Sequence, residues 1–147
     1  MPFSRRLFYW ISTVVVPLYR RFPIFGALRG SVGIVRRGDL FLVVDRSDRR
    51  GLCFPGGMAM PWETDATVLV REMQEETGLT VTDYRFLFRY LDHFYFPGRI
   101  SVFEIEAEGE VRGSWEGDPL WVTLNELAPR LFPMHRRIYN YLTGASA

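Results

Sequence analysis

One predicted helix constrains the fold of this chain more than any other feature. Thr64 can cap its start, Asp65 lies in its first turn, and Gly78 can end it. Five side chains between these ends fall within one arc of about 100° on a helical wheel. They are Ala66, Leu69, Val70, Met73 and Thr77. A helix with one such face needs a packing partner, so residues 64–77 predict a helix that lies against the core of a folded domain.

Short apolar runs on both sides of this helix predict β-strands. These runs are residues 32–35, 40–44, 84–96, 99–107 and 120–122. Gly38 lies in the turn between the first two, and Pro97-Gly98 lies between the third and the fourth, so each pair can form a hairpin.

Two more helices are predicted towards the C-terminus. Thr123 and Glu126 have the spacing of a capping box that opens the first. The second follows Pro133, spans residues 134–142 and ends at Gly144. Strands and helices together predict an α/β domain.

Composition limits the class of protein. The chain has 147 residues and a formal net charge of +1, which fits one domain and predicts no nucleic-acid polymer as a partner. Cys53 is the only cysteine, which excludes an intrachain disulfide and indicates a reducing, cytoplasmic compartment. We divide the chain into an N-terminal extension, residues 1–28, and one domain, residues 29–147.

The extension is basic, apolar and aromatic. Arg5-Arg6 precede an apolar run, residues 7–19, that Pro17 interrupts and Arg20-Arg21 follow. The run is shorter than the roughly 20 residues that cross a bilayer. Three interpretations stay open: a helix packed on the domain, a helix that joins two copies in a homodimer, and a helix in peripheral contact with a membrane surface.

The helix over residues 64–77 carries an unusual set of charges. Glu72, Glu75 and Glu76 have the spacing i, i+3 and i+4, and Glu63 lies near its start. Carboxylates on one helical turn repel each other, unless a cation lies between them. Clustered oxygen ligands suit Mg²⁺ or Mn²⁺. An ordinary solvated acidic face would carry the same three glutamates, so this pattern alone leaves both interpretations open.

A glycine-rich segment precedes this helix. Phe54-Pro55-Gly56-Gly57 allows the backbone to approach an ion or a phosphate closely, because two of its residues lack a Cβ atom. The loop and the helix together predict a site for a divalent cation beside an anionic substrate.

The complete pattern resembles the Nudix box. Every specified position within residues 57–79 is filled, namely by Gly57, Glu63, Arg71-Glu72-Met73, Glu75-Glu76 and Gly78-Leu79. The resemblance extends over roughly residues 30–143 and implies a Nudix-type α/β/α sandwich around a mixed β-sheet, to which the apolar N-terminal helical segment is added. It also implies metal-dependent hydrolysis of a nucleoside diphosphate linked to another group.

The resemblance implies roles for individual residues. Glu72, Glu75 and Glu76 match metal-binding positions, and the Gly56 carbonyl matches a further ligand. Arg71 and Glu63 match positions that brace the helix. All five side chains are catalytic candidates, whereas the general base differs among Nudix enzymes and stays open.

Within the family, the chain looks most like the MutT branch of nucleoside triphosphate pyrophosphohydrolases. Residues 96–100 resemble a segment of that branch, and Glu116 lies where the branch places an additional metal-contacting glutamate. Arg46 matches a phosphate-contacting arginine, and Phe54 and Arg99 would flank the base.

Some positions depart from the MutT pattern. Met60 and Trp62 replace a glutamate and a glycine that are common in this loop. Where that branch has an asparagine after a Phe-Pro pair, alignment on Phe132-Pro133 places Met134, His135 or Arg136. The substrate therefore stays open between a nucleoside triphosphate, another nucleoside diphosphate derivative and a lipid-linked diphosphate at a membrane surface. A catalytically silent nucleotide-binding module is a further alternative.

Overall fold

A computed structural model describes residues 3–94 and 97–145. Residues 95 and 96, which belong to a predicted strand and to the segment that resembles MutT, lie outside this description. The strands are β1 (Leu28–Arg37), β2 (Leu40–Arg46), β3 (Leu52–Cys53), β4 (Gly56–Met58), β5 (Thr80–Asp92), β6 (Gly98–Glu108) and β7 (Gly117–Val122). The helices are α1 (Phe3–Trp10), a π-helical turn (Ile11–Val15), α2 (Val16–Arg21), α3 (Asp65–Thr77), α4 (Leu124–Leu127) and α5 (Arg136–Thr143). Short 3₁₀ turns cover Ala128–Arg130 and Pro133–His135.

Strand β1 organises a mixed sheet whose order is β3-β2-β1-β6-β5. It runs parallel to β6, from Leu28 beside Gly98 to Val35 beside Ile105. Its other edge pairs antiparallel with β4 at its beginning and with β2 at its end, and β7 pairs with β2. This arrangement places the glycine-rich strand β4 directly beside β1, next to the helix that follows it.

Helix α3 forms where the sequence predicts it. The Thr64 side chain accepts a hydrogen bond from the Thr67 backbone N–H, and Gly78 ends the helix in a left-handed conformation with φ of 77°. Of the predicted apolar face, Leu69, Met73 and Thr77 are buried, and Leu69 and Met73 pack with residues of the sheet. Val70 is 41% exposed instead, and Val68 is buried, so the buried face is rotated from the predicted one. Gly33 on β1 makes this packing close, since a Cβ atom there would lie 2.9 Å from the Met73 methyl group.

The other side of the sheet carries the larger core. Phe54, Phe132 and Ile138 are buried there together with residues of β1, β2 and β6. Helices therefore cover both faces, which confirms the predicted α/β sandwich with a mixed sheet.

The N-terminal segment is helical and lies on the domain. Arg5 pairs with Asp118 at 2.6 Å, and the Phe8 ring meets Trp115 edge-to-face at 5.3 Å. Pro17 lacks a backbone N–H and crowds the preceding turn, and the helix widens there so that the Val16 N–H bonds to the Ile11 carbonyl. No helix among the described residues is both long enough and apolar enough to span a bilayer.

Some elements differ from the sequence-based prediction. Strands β3 and β4 were not predicted, because runs of two and three residues carry no readable alternation. The hairpin turn at Gly38, the Thr123–Glu126 capping box and the end of the last helix at Gly144 are as predicted. That last helix begins with a 3₁₀ turn, and its α-helical part starts at Arg136.

Candidate functional site

Three glutamates from two parts of the chain form the candidate metal centre. Glu72 and Glu76 project from α3, and Glu116 comes from the loop before β7. One oxygen from each lies within 4.8 Å of the others. Glu72 and Glu76 are only 7% and 4% exposed, and Glu116 is partly buried, so water can neutralise little of their charge. Three hard oxygen donors in this arrangement can hold a divalent cation.

The glycines of β4 allow this cluster to lie against the sheet. The Gly56 backbone N–H donates a hydrogen bond of 2.7 Å to Glu76 Oε2. A Cβ atom on Gly57 would lie 2.3 Å from the carboxyl carbon of Glu72. Only a residue without a side chain fits at Gly57 while Glu72 holds this position.

The electrostatics of the cluster are those of crowded acids. Burial raises the pKa of Glu72 to about 7, although the Arg71 charge opposes this rise. Burial and the neighbouring Glu116 carboxylate raise the pKa of Glu76 well above its ordinary value, and burial raises that of Glu116. A bound cation would favour the ionised form of all three, since it offsets both the burial and the mutual repulsion.

Arg71 connects the start of α3 to the candidate metal centre. Its guanidinium donates to both Glu63 oxygens, at 2.8 and 2.9 Å, and to the Met58 carbonyl at 3.1 Å. It also donates to Glu72 Oε1 at 2.7 Å. The hydrogen bonds from Arg71 lower the pKa of Glu63 to about 2. Arg71 and Glu63 are thus placed to fix the position of the Glu72 carboxylate.

Glu75 lies on the same helix but outside this group. Its side chain is 60% exposed, and it accepts a hydrogen bond of 3.2 Å from Arg71. The structure therefore brings Glu72, Glu76 and Glu116 together and places Glu75 at the rim.

A cavity of about 320 Å³ opens beside the cluster. Glu72, Glu116 and Arg71 line it, and β4 contributes Gly56 and Gly57. The domain supplies apolar side chains to the rest, including Phe54, Met58, Ile100, Phe132 and Met134. The N-terminal segment supplies a further part of the wall, namely Phe8, Ile11, Ser12 and Val16.

Arg46 lies in this cavity at the junction with the N-terminal segment. Its guanidinium is 4.5 Å from the centre of the Phe132 ring and 5.2 Å from that of Phe8. It forms an ion pair of 2.5 Å with Asp48, whose side chain is fully buried. Asp48 also accepts a hydrogen bond from the Ser12 hydroxyl. Burial acts to raise the pKa of Asp48, but its bonds to Arg46 and Ser12 outweigh burial and lower it.

Phe54 lies at the cavity wall and is held by a histidine. The Phe54 N–H donates to His135 Nδ1 at 3.0 Å, so the ring proton resides on Nε2. Burial lowers the pKa of His135 to about 3, which keeps the ring neutral. Arg99 is exposed on β6 and does not line the cavity, whereas its neighbour Ile100 does.

Sequence reasoning missed Asp48, His135 and the contribution of the N-terminal segment. Asp48 is the single acid between Arg46 and Arg50, and its position in a basic loop was the available signal. His135 has no partner at metal-ligand spacing and gave no such signal. The pocket wall could not be found from the resemblance, which began near residue 30.

Comparisons with known proteins agree with this geometry. A family model described as the NUDIX domain matches residues 27–142. No curated protein matches the chain. Among solved structures, the chain is similar to a MutT protein from Bacillus halodurans, with 25% identity and a TM-score of 0.63. That match covers 79% of this chain and 80% of the other.

Two further structures share the fold. A MutT NUDIX hydrolase from Burkholderia pseudomallei has 20% identity and a TM-score of 0.66, and the match covers 77% of this chain and 95% of that one. A bifunctional NMN adenylyltransferase/ADP ribose pyrophosphatase from Francisella tularensis has 19% identity and a TM-score of 0.68. This last match covers 92% of this chain but 48% of the other. The family match spans most of the chain, and the protein therefore belongs to the NUDIX domain family and is a hydrolase that acts on pyrophosphate bonds.

Proposed function

We propose that this protein hydrolyses a diphosphate linkage in a nucleoside diphosphate derivative, and that a nucleoside triphosphate is its substrate. The observation that carries the proposal is the group formed by Glu72, Glu76 and Glu116, two of which, Glu72 and Glu116, line the cavity. The cavity volume of about 320 Å³ falls within the range of small-molecule sites. In this proposal residues 1–28 are an extension and residues 29–147 are the catalytic domain.

The donor set fits Mg²⁺, with Mn²⁺ as the alternative, because all its atoms are carboxylate oxygens. Glu72, Glu76 and Glu116 would hold the cation, and Glu75 and the Gly56 carbonyl are the remaining candidates. When bound, such a cation neutralises phosphate charge and makes water a better nucleophile. The electrostatics support the fit, since burial raises the pKa values of all three carboxylates even though the Arg71 guanidinium contacts Glu72.

The other residues of the site would position groups rather than react. Arg71 and Glu63 hold the Glu72 carboxylate at one orientation through four hydrogen bonds, one of them to Glu72 itself. Phe54 would form one wall for the organic part of the substrate. Arg46 would contact a phosphate, which requires it to share its charge between the substrate and Asp48. Arg99 stays a prediction as a residue that flanks the base.

The test is a substrate panel with Mg²⁺, with Mn²⁺ and with EDTA, in which phosphate and pyrophosphate are detected separately. The panel holds canonical and oxidised nucleoside triphosphates, ADP-ribose, nucleoside diphosphate sugars and dinucleoside polyphosphates. We expect pyrophosphate from a nucleoside triphosphate and no turnover in EDTA. Turnover of another nucleotide alone would indicate the substrate class of a different branch of the family. No turnover of any compound would favour a catalytically silent binding module.

Two variants connect the activity to the site. Glu76→Gln keeps the shape of the side chain but removes a buried charge, and we expect it to lower kcat at least about 100-fold, as for loss of one strong transition-state stabiliser. Glu104→Gln is the matched control, because Glu104 is an exposed carboxylate on β6 that pairs with Arg85. Equal rates for wild type and Glu76→Gln would overturn the assignment.

A second candidate substrate is a diphosphate attached to an apolar group, such as a lipid-linked diphosphate. The apolar wall of the cavity favours it, since the polar groups there already have protein partners. Ser12 and Arg46 bond to Asp48, and His135 accepts from the Phe54 N–H. A prenyl diphosphate added to the panel separates the two candidates, because its turnover without turnover of any nucleotide would establish the second.

A further inference from the structure

The N-terminal segment carries a second apolar face that points away from the domain. Five large side chains along it recur every three or four residues, which places them on one side of the helix. They are Phe3, Leu7, Trp10, Val14 and Leu18, with exposures of 83%, 48%, 64%, 42% and 60%. We call these residues the outer stripe. The opposite side, which includes Phe8 and the buried Ser12, packs on the domain.

Exposed apolar surface continues beyond the end of α2. Phe22, Ile24 and Phe25 are 61%, 78% and 77% exposed. Soluble monomers rarely leave this many large apolar side chains exposed in one short segment, and such surfaces commonly bind a protein or a membrane. The outer stripe therefore needs a partner that offers an apolar environment.

The charges beside this surface identify the partner. Arg6, Arg20 and Arg21 are exposed at the two ends of the segment, and the first acidic residue of the chain is Asp39. The surface thus combines apolar and aromatic side chains with positive charge and has no negative charge of its own. An anionic bilayer offers both the acyl boundary and the negative headgroups that this combination fits.

We propose that the outer stripe binds the surface of an anionic membrane, with the helix lying in the plane of the headgroups. Trp10 and Tyr9 suit the headgroup level, because their rings are apolar and their polar atoms can reach water. Arg6 and Arg21 would extend towards lipid phosphates from the two ends of the stripe. This proposal concerns where the protein resides and does not depend on the identity of its substrate.

A second copy of the chain fits this surface less well. A two-fold interface brings each patch against its own copy, so the arginines of one helix would approach those of the other. The segment has no carboxylate to pair with them, since no acidic residue precedes Asp39. Like charges in such an interface are unfavourable, whereas anionic headgroups satisfy them.

The test measures co-sedimentation of the full chain with vesicles of phosphatidylcholine alone and of phosphatidylcholine mixed with phosphatidylglycerol. We expect binding to the anionic vesicles that weakens as salt is added, and little binding to the neutral ones. Binding that is equal for both vesicles, or absent from both, would overturn the proposal.

Apolar contact is tested with Trp10→Ala combined with Leu18→Ala. Both side chains are exposed, so the fold should survive, and thermal unfolding checks this. In the proposed complex both side chains insert into the bilayer, so their removal should lower the partition coefficient between vesicles and water at least about tenfold. The control is Trp62→Ala, which removes a tryptophan that is 79% exposed but lies outside the segment. An equal loss for the control would refute the assignment to the outer stripe.

Charge is tested with Arg20→Gln combined with Arg21→Gln, which should lower binding to anionic vesicles roughly tenfold or more. The matched control is Arg36→Gln combined with Arg37→Gln, which removes the same amount of charge. These two arginines lie at the end of β1, roughly 26 Å along the strand from its first residue, Leu28. Sedimentation velocity completes the test. A dimer that Trp10→Ala dissociates would make the stripe an interface between copies and overturn the membrane proposal.

Discussion

Replacing Glu72 with glutamine should make the metal-free protein more stable at high pH. The carboxyl group has an ordinary pKa of 4.5, and burial raises it to about 7 in the folded state. The folded protein therefore binds a proton more tightly than the unfolded chain does. Because the folded protein holds this proton more tightly, the contribution of Glu72 to the free energy of unfolding is highest below pH 4.5 and falls as the pH rises from 4.5 through 7. The glutamine amide does not ionise in this pH range, so the variant should not show this decline.

The magnitude follows from the change in pKa. One pKa unit corresponds to about 1.4 kcal/mol, so a rise from 4.5 to about 7 amounts to about 3 kcal/mol, most of it expressed between pH 5 and pH 8. The free energy of unfolding of wild type, measured in EDTA, should fall relative to that of Glu72→Gln by about 2–3 kcal/mol over this range. In a thermal melt the difference should be roughly 5–10 °C.

The assay is urea unfolding in EDTA at several pH values, followed by thermal melts with and without Mg²⁺. Mg²⁺ should restore the stability of wild type at pH 8 and have little effect on Glu72→Gln. Glu75→Gln is the matched control, because it removes a carboxylate from the same helix where the side chain is 60% exposed. Identical pH profiles for wild type and Glu72→Gln would refute the reasoning that burial without a cation strains this site.

Four other substitutions test separate parts of the site. Gly57→Ala should lower the affinity for Mg²⁺ at least about tenfold, because the Cβ atom of the new alanine would displace the Glu72 carboxylate. Thermal shift at increasing Mg²⁺ concentration measures this affinity. Arg71→Lys should lower metal affinity roughly 10- to 100-fold by titration, since an ammonium group cannot reproduce the guanidinium fork. Phe8→Ala should raise KM severalfold in steady-state assays and leave kcat nearly unchanged, because Phe8 lines the cavity but offers no ligand atom to a metal ion. The contribution of His135 to the free energy of unfolding of wild type should fall by about 1.4 kcal/mol for each pH unit below pH 6.5, because the pKa of His135 is about 3 in the folded state and the unfolded chain takes up the proton first. His135→Gln should remove this fall, which urea unfolding at several pH values measures. Unchanged titration, kinetic or unfolding curves for these variants would contradict the respective contacts.

Local signals in the sequence were sufficient for helix α3. The cap at Thr64, the stop at Gly78 and the apolar face between them all act within a few residues, and the helix forms between those limits. Glu116 was harder, because its approach to Glu76 depends on the pairing of β7 with β2 and not on nearby sequence. Only the resemblance to a known family made it a candidate before the structure.

The neighbours of Arg46 could not be predicted for a similar reason. Its pairing with Asp48 is local, but Ser12 and Phe8 reach the same place from another part of the chain. Periodicity shows that the N-terminal segment is helical and does not show which of its faces meets the domain. Two apolar faces on one helix make that choice ambiguous, and only tertiary packing resolves it.

The wall that Phe8, Ile11, Ser12 and Val16 contribute to the cavity affects how the protein should be prepared for experiments. The family match begins at residue 27, and an expression boundary chosen from it would remove this wall. The trimmed protein would keep its carboxylates and its sheet, yet Asp48 would lose the Ser12 hydroxyl and the cavity would lose these four lining side chains. Substrate preferences recorded on such a fragment would describe a different binding site from the one that the whole chain builds.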